Sequence, residues 1–316
     1  MSEIKKIATR ESYGQTLVEL GAENPDIVVM DADLAAATKT GVFGKAYPDR
    51  FFDVGIAEGN MMGIAAGLAA SGKIPFASSF AMFATGRAYE QIRNSIGYPK
   101  LNVKICASHA GITVGEDGAS HQCLEDIALM RSIPGMVVMN PADDIEAKAA
   151  VRAAAEYEGP VYIRLGRAAV PVINDRPDYK FEWGKGIKIQ DGKDVTLVAT
   201  GIMVNSAMEA AKMLEADGVS VEILDIHTIK PLDEDMIIES AKKTGKVVTL
   251  EEHSVIGGLG SAVCEALSEK HPTLVKKIGV YDTFGESGSA AVLMEKYELD
   301  GKGVYRQVKE FLDGLK

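Results

Sequence analysis

The chain has 316 residues, of which 47% are apolar and 25% are charged, a composition typical of a globular protein with room for two domains. Its net charge of −11 and the lack of a basic run argue against a nucleic-acid-binding surface. No apolar run approaches the roughly 18 residues of a membrane span, and the first residues lack a secretory signal. We therefore expect a cytoplasmic protein without a membrane partner.

The three cysteines predict neither a disulfide framework nor a zinc site. Cys106, Cys123 and Cys264 are odd in number and share no metal-ligand spacing. Cys123 follows His121 closely, but a buried and inert thiol is the better interpretation. We assign no metal ligand to this chain.

Helix and strand patterns alternate along the first half of the chain. Short apolar runs indicate buried strands, and the segments between them have the period of helices. Continuous apolar strands joined by helices predict a parallel sheet covered on both faces. The predicted helices are residues 10–21, 58–71, 80–96, 124–131 and 143–157, and the predicted strands are 27–31, 51–54, 74–77, 103–108, 136–139 and 161–164.

Residues 171–190 interrupt this alternation with prolines, charges and glycines, and predict a linker. Alternation then resumes, with predicted strands at 195–200, 219–225, 247–250 and 276–280 and predicted helices at 204–216, 233–244, 259–270 and 304–312. The sequence thus predicts an α/β protein with parallel or mixed sheets in two domains, residues 1–170 and a smaller one at 191–316.

Glu58 lies at the junction of a short strand and a Gly/Ala-rich helix. As a first-turn acid it would be stabilised by the helix dipole by about 0.3–1 kcal/mol. Alternatively, its apolar neighbours could hold the carboxylate in a pocket where it shares a proton with a ligand nitrogen. Phe80 and Phe83, three residues apart, could likewise be core residues or present a ring face to a planar heterocycle.

A glycine-spaced loop at residues 109–121 contains His109, Asp117 and His121. The loop could be a solvated turn in which glycines permit positive φ. It directly follows a predicted strand, however, and loops beyond the carboxyl ends of strands often carry chemistry in α/β proteins. Cations at predicted element ends could meet an anionic ligand there, namely Arg10, Lys39, Arg87, His109, Arg164 and Arg167.

Two glycine patterns have weaker implications. Gly59, Gly63 and Gly67 recur every four residues, which places them on one face of the predicted helix 58–71. Each glycine costs up to about 1 kcal/mol of helix stability, so we expect close packing against another helix or against the protein's own sheet. The run 257–260 precedes a helix and is a weak candidate for a phosphate-binding turn.

Several segments, in the right order, resemble transketolase. They are residues 8–10, 31–34, the strand before Glu58, 79–80, 115–122 and 281–288. The chain resembles the two C-terminal domains of transketolase, present as a separate polypeptide, over nearly its whole length.

The resemblance implies a thiamine-diphosphate-dependent enzyme of the pentose phosphate pathway that transfers a two-carbon ketol unit between ketose and aldose phosphates. It implies that Glu58 is catalytic and binds the pyrimidine N1′ of the cofactor, flanked by Phe80 and Phe83. It further implies that Arg10, His109 and Arg164 bind the substrate phosphate, with Arg167 as the alternative to Arg164. It implies that Asp117 and His121 contact the sugar hydroxyls, and that His121 is also placed for proton transfer.

The chain departs from the transketolase pattern in two places. Where transketolases commonly have a phosphate-binding serine, residues 35–37 are alanines, and Thr38 or Lys39 could replace it. The diphosphate-binding domain with its Gly-Asp-Gly motif is missing. The resemblance therefore implies a partner, the N-terminal section of transketolase, that holds most of the Mg²⁺ and diphosphate contacts in a two-fold heterotetramer.

Three other interpretations stay open. The β subunit of a 2-oxo acid dehydrogenase has the same size and catalytic glutamate, and deoxyxylulose-phosphate synthase shares the residues before Glu58. A non-catalytic scaffold or regulatory paralogue would use none of the site residues. The resemblance leaves the role of the C-terminal domain undefined.

Overall fold

A computed structural model describes residues 5–315. Its strands are short and mostly buried, as their apolar sequences predict. They are β1 (Lys6–Ala8), β2 (Ile27–Asp31), β3 (Phe51–Asp53), β4 (Ile74–Ser78), β5 (Lys104–Ala107), β6 (Val137–Met139), β7 (Val161–Arg164), β8 (Ala169–Pro171), β9 (Ile187–Gln190), β10 (Val195–Ala199), β11 (Val221–Asp225), β12 (Thr228–Lys230), β13 (Lys246–Ser254) and β14 (Leu274–Val280).

The first sheet has the strand order β12-β6-β7-β5-β4-β2-β3. All neighbouring strands are parallel except β12, which pairs antiparallel with β6. The sequence did not predict β12, and this strand comes from the second half of the chain. The two halves are therefore joined by a shared sheet edge as well as by the connecting segment.

The second sheet has the order β14-β13-β10-β11-β9, and only β9 is antiparallel to its neighbour. Strand β9 occupies residues 187–190, the last part of the predicted linker, and pairs with β11 at the edge of this sheet. Its alternating Ile and polar residues suit an edge strand. β1 and β8 form a separate antiparallel pair. The predicted α/β class with parallel and mixed sheets is confirmed.

Helices connect these strands. They are α1 (Thr9–Glu23), α2 (Ala35–Thr38), α3 (Gly41–Ala46), α4 (Glu58–Ala70), α5 (Tyr89–Gln91), α6 (Asp126–Arg131), α7 (Asp144–Glu156), α8 (Met203–Ala216), α9 (Glu234–Thr244), α10 (Leu259–Lys270), α11 (Ala290–Lys296) and α12 (Gly301–Asp313). None of these helices within residues 5–315 is long and apolar enough to cross a membrane.

The segment predicted as one helix at 80–96 is irregular. Two π-helical turns, Met82–Arg87 and Ile92–Gly97, flank α5, and Phe80 makes an isolated bridge with Ser108 instead of starting a helix. π turns are rare in regular helices and are frequent at functional sites. Here the wide turn follows Phe80 directly and carries Phe83 and Arg87.

One apolar cluster runs between the two sheets. It joins residues of the first half, such as Ile127 and Met130, to residues of the second half, such as Leu259 and Val263. These side chains are almost completely buried. The continuous core fixes the second half firmly against the first.

Gly63 and Gly67 of the α4 glycine stripe pack against neither the sheet nor another described helix. No atom lies within 4 Å of a Cβ built on Gly63 or Gly67, whereas one on Gly59 would reach Gln91. The buried side of α4 is formed by Glu58, Met61 and Met62. Of the two expected partners, the protein's own sheet therefore does not contact Gly63 or Gly67, and both face outward.

Candidate active site

The candidate site lies at the carboxyl edge of the first sheet. Four neighbouring strands, β5, β4, β2 and β3, are followed by the segments that contain His109, Phe80, Lys39 and Glu58 respectively. Carboxyl ends of parallel strands form the usual ligand-binding crevice of open α/β sheets. The topology thus brings together distant residues, since Arg10 and His109 of this site are 99 positions apart in the sequence.

Glu58 is the first residue of α4 and is buried, with 1% of its surface exposed. Its Oε2 accepts a hydrogen bond of 2.9 Å from Nη1 of Arg87. The side chain of Arg87 is 54% exposed, and its guanidinium carbon lies 4.8 Å from the centroid of the Phe83 ring. A buried carboxylate thus has a partner that can move into solvent.

The predicted aromatic pair is present. The Phe80 and Phe83 ring centroids are 5.9 Å apart with an interplanar angle of 17°. Phe80 is buried and stacks on His109 with a centroid distance of 3.8 Å, whereas Phe83 meets His121 edge-on at 5.2 Å. Phe83 therefore offers the more accessible ring face, and Phe80 supports it from the interior.

His109 is held as a neutral imidazole. Burial, followed by the charges of Arg10 and Arg167, lowers the pKa of His109 to about 3. Its Nε2 lies 3.2 Å from Nη1 of Arg10, which can only donate. Nε2 must therefore accept, so the proton resides on Nδ1, which donates to Ser108 Oγ at 2.9 Å.

Three cations surround His109. Arg10 donates to the Ala37 carbonyl oxygen at 2.9 Å, and burial, with a further contribution from Arg167, lowers the pKa of Arg10. Lys39 and Arg167 are also close enough to lower the pKa of His109. Arg10, Lys39 and Arg167 therefore form a local positive region despite the negative net charge of the chain.

Arg164, expected from the resemblance to bind phosphate, is not part of this region. It is 3% exposed, and its Nε donates to Asp126 Oδ2 at 2.8 Å. Its Nη2 donates to the carbonyl oxygen of Glu252 at 2.9 Å. The interior already uses this guanidinium in the described arrangement, whereas Arg167 lies close enough to His109 to lower its pKa.

Thr38 and Lys39, the two candidates to replace the usual phosphate-binding serine, lie in different environments. The Thr38 hydroxyl is buried and donates to Asp31 Oδ2 at 2.6 Å, where Thr40 binds the same oxygen. The Lys39 side chain is 32% exposed and lies 3.6 Å from Glu11 in an ion pair. Thr38 stabilises the turn after β2, and Lys39 is the side chain available to a ligand.

The remaining loop residues lie farther out. Asp117 is exposed at the end of the 3₁₀ turn Ile112–Asp117, and His121 is partly exposed, with Nδ1 3.0 Å from Ser120 Oγ. Gly111, Gly115 and Gly118 all have positive φ, which glycine adopts readily. The loop thus joins His109, Asp117 and His121 in one curved segment.

A cavity of about 640 Å³ opens beside Phe83 and Arg87. The other wall comes from the second half of the chain, through Asp282, Thr283, Phe284 and Gly285. The sequence did not predict this contribution, because residues distant in sequence form the wall.

A flat heteroaromatic ring with a basic nitrogen fits the residues present. It can pack on the accessible face of Phe83 and replace the exposed Arg87 as the partner of the Glu58 carboxylate. Within residues 5–315, no group of three or more His, Cys, Asp or Glu side chains could hold a metal ion.

The candidate phosphate turn at 257–260 does not bind a ligand in this arrangement. The Glu251 carboxylate accepts hydrogen bonds from the amides of Leu259 and Gly260 at 2.7 and 2.8 Å. A Cβ on Gly258 would lie 1.9 Å from Glu251 Oε2. The protein's own carboxylate thus occupies the start of α10.

Comparison with protein families gives two matches. The transketolase pyrimidine-binding domain matches residues 5–172, and the transketolase C-terminal domain matches residues 184–304. Together they cover most of the chain.

Individual proteins match over nearly the whole length. A Methanocaldococcus jannaschii protein assigned as a transketolase C-terminal section is 52% identical, with 95% of each chain covered. The 6-deoxy-6-sulfo-D-fructose transketolase subunit of a Clostridium species is 46% identical, with 95% of this chain and 93% of that chain covered.

A solved structure has the same fold. It is described as a split-gene transketolase in an inactive β4 tetramer, with 59% identity and a TM-score of 0.90. The match covers 97% of this chain and 99% of that one.

Proposed function

Because the chain belongs to the transketolase family, we propose that it is the C-terminal subunit of a split transketolase that uses thiamine diphosphate. The single observation that carries this proposal is the buried carboxylate of Glu58, held by Arg87, which lies over the Phe83 ring and lines the cavity. Similarity to proteins described as a transketolase section or subunit supports the division into two chains.

Three residues of this chain would hold the aminopyrimidine ring of the cofactor. Glu58 would hydrogen-bond its ring nitrogen and hold or move a proton there, while Phe83, supported by Phe80, would pack against the ring. Arg87 would leave Glu58 and turn into solvent. When bound, thiamine diphosphate supplies the carbon–carbon bond chemistry as nucleophile and electron sink.

The cationic region would bind the anionic end of the sugar. Guanidinium groups bind phosphate through two parallel hydrogen bonds, and both Arg10 and Arg167 lie near His109. Neutral His109 would face the sugar without adding charge, while Asp117 and His121 would contact its hydroxyl groups. His121 is partly exposed and would also be available for proton transfer.

We propose ketose and aldose phosphates as the substrates, as in the pentose phosphate pathway. The similar Clostridium subunit is named for a sulfonated sugar, and a sulfonate would meet the same three cations. A panel of five-, six- and seven-carbon ketose phosphates and 6-deoxy-6-sulfofructose would rank these donors.

The partner would be a chain that supplies the diphosphate-binding half and most of the Mg²⁺ contacts. We propose a two-fold heterotetramer in which the outward-facing stripe of Gly59, Gly63 and Gly67 packs against its symmetry mate. The exposed Ile64 on the same helix would be covered in this assembly. Such an enzyme would act in the cytoplasm.

The proposed function is tested by purifying the chain from its source cells with Mg²⁺ present. We expect native mass spectrometry to show a second subunit with a Gly-Asp-Gly motif and bound thiamine diphosphate. The chain alone should be inactive, as the inactive tetramer of its structural relative suggests, and ketol transfer should appear only when both chains are combined. A homo-oligomer without cofactor, together with a two-chain mixture that transfers no ketol group, would favour a non-catalytic paralogue.

Arg167→Met is expected to raise KM for the phosphorylated donor by about tenfold or more, because a hydrogen bond to a charged group contributes about 1.5–3 kcal/mol. The kcat should change less, because the anion lies away from the reacting carbons. Steady-state kinetics of the assembled enzyme measures both constants.

Arg306→Met is the matched control. Arg306 is a half-exposed arginine in an ion pair with Glu298, as Arg167 is with Glu116, but it lies on α12. Equal KM values for wild type and Arg167→Met would remove Arg167 from the proposed anion site.

A further inference from the structure

We propose that Glu252, a residue of the second half of the chain, is a positioning residue for the substrate-binding loop between His109 and His121. This inference rests on the proposed function. It assigns a task in the reaction to the C-terminal half, which otherwise contributes only a cavity wall.

Glu252 binds the loop directly. It lies on β13, is 3% exposed, and its Oε1 accepts a hydrogen bond of 2.6 Å from the Thr113 amide. Thr113 is the second residue of the 3₁₀ turn that ends at Asp117. This short hydrogen bond to a buried side chain fixes the start of the turn.

The loop backbone also lies against the same carboxyl group. A Cβ built on Gly111 would be 2.3 Å from both Cδ and Oε1 of Glu252. Gly111 has a φ of 79°, and its amide donates to the Cys123 carbonyl oxygen at 2.9 Å. The loop can follow this path only because residue 111 lacks a side chain, and its path is shaped around Glu252.

Glu252 itself is held in place by the first half. Arg164 Nη2 donates to the Glu252 carbonyl oxygen at 2.9 Å, and Arg164 Nε is fixed by Asp126. Burial raises the pKa of Glu252, while Arg164 and the hydrogen bond from the Thr113 amide lower it in part. Arg164 thus positions Glu252, and the Glu252 carboxyl group in turn holds the loop.

Other side chains also hold this turn. Gln122 Nε2 donates to the carbonyl oxygens of Ile112 and Gly115 and to that of Glu286, at 3.1, 3.3 and 2.9 Å. Arg167 also donates to the Val114 carbonyl oxygen. These contacts hold carbonyl groups of the turn, whereas Glu252 holds the amide of Thr113, and Asp117 and His121 beyond the turn are exposed or partly exposed. Small displacements of residues that contact substrate can cost about 10²-fold in rate.

The test compares Glu252→Ala with Glu252→Gln in the assembled two-chain enzyme. For Glu252→Ala we expect kcat/KM with a ketose phosphate to fall roughly 10- to 100-fold, with a raised KM. Glu252→Gln keeps an oxygen acceptor for the Thr113 amide and should recover most of the loss. Affinity for thiamine diphosphate, measured by calorimetry, should stay within about twofold of wild type in both variants, because Glu58 and Phe83 lie on other elements.

Glu222→Ala is the control for general loss of stability. Glu222 is another fully buried glutamate of the second sheet, bonded to Thr196 and Lys243, and should leave KM unchanged. If Glu252→Ala does not assemble, Glu252→Asp withdraws the carboxylate by one methylene and should raise KM to a smaller extent.

Wild-type KM and kcat in both Glu252→Ala and Glu252→Asp would overturn the inference, as would a Glu252→Gln variant as impaired as Glu252→Ala. An inactive wild-type complex would instead overturn the proposed function. The two failures are thus distinguished by the wild-type measurement.

Discussion

Replacing Glu58 with glutamine is expected to lower the ketol-transfer rate of the assembled enzyme by about 10²–10⁴-fold, the usual contribution of a positioned proton-transfer group. The amide has the size of the carboxylate but cannot hold a proton for a ring nitrogen. Glu58 is almost fully buried, so water is a poor substitute in this position. Steady-state rates with saturating cofactor measure the loss.

The same substitution should leave the chain folded. The side chain of Arg87, the hydrogen-bonded partner of Glu58, is 54% exposed, so water can solvate its charge after the substitution. Removing a buried carboxylate whose partner stays solvated is less costly than removing one partner of a fully buried pair. Glu90→Gln, on the exposed side of α5, serves as the control for an added amide. A Glu58→Gln enzyme within tenfold of the wild-type rate would contradict the catalytic role.

Apolar runs allowed much of the fold to be predicted. The predicted strands at 27–31 and 161–164 coincide with β2 and β7, because each is a continuous buried run. The edge strands β9 and β12 were missed, since short and partly polar segments gain their pairing only from a neighbouring strand. The π turns after Phe80 were missed because periodicity does not distinguish a widened turn from a regular helix.

The candidate site was predictable where a residue type fits only a few environments. A carboxylate among apolar neighbours, two nearby rings and a glycine-spaced loop with two histidines all lie at one sheet edge. Sequence spacing could not show which of Arg164 and Arg167 is buried, because Arg164 is held in the interior by Asp126, which is 38 positions away. Glu252 gave no sequence signal, since its target Thr113 is 139 positions away.

Arg164→Met is expected to lower the free energy of unfolding by about 3–5 kcal/mol, the range for removing one partner of a buried ion pair. Asp126 would lose the guanidinium that, against the effect of burial, keeps the pKa of this carboxyl low. Tyr162 still donates to Asp126 Oδ2 at 2.6 Å, but a neutral hydroxyl cannot balance a buried charge. Urea unfolding of the isolated chain measures the difference.

Arg167→Met is the matched comparison, because the same substitution three residues later removes an arginine that is 35% exposed. We expect its unfolding free energy to stay within about 1 kcal/mol of wild type, as for exposed ion pairs. Adding Asp126→Asn to Arg164→Met should restore part of the lost stability, because the unpaired charge is then gone. Equal stability of the two single variants would mean that Arg164 is not held in the interior and could again be considered for phosphate binding. Replacing Arg164 should therefore change the unfolding midpoint, whereas replacing Arg167 should change KM.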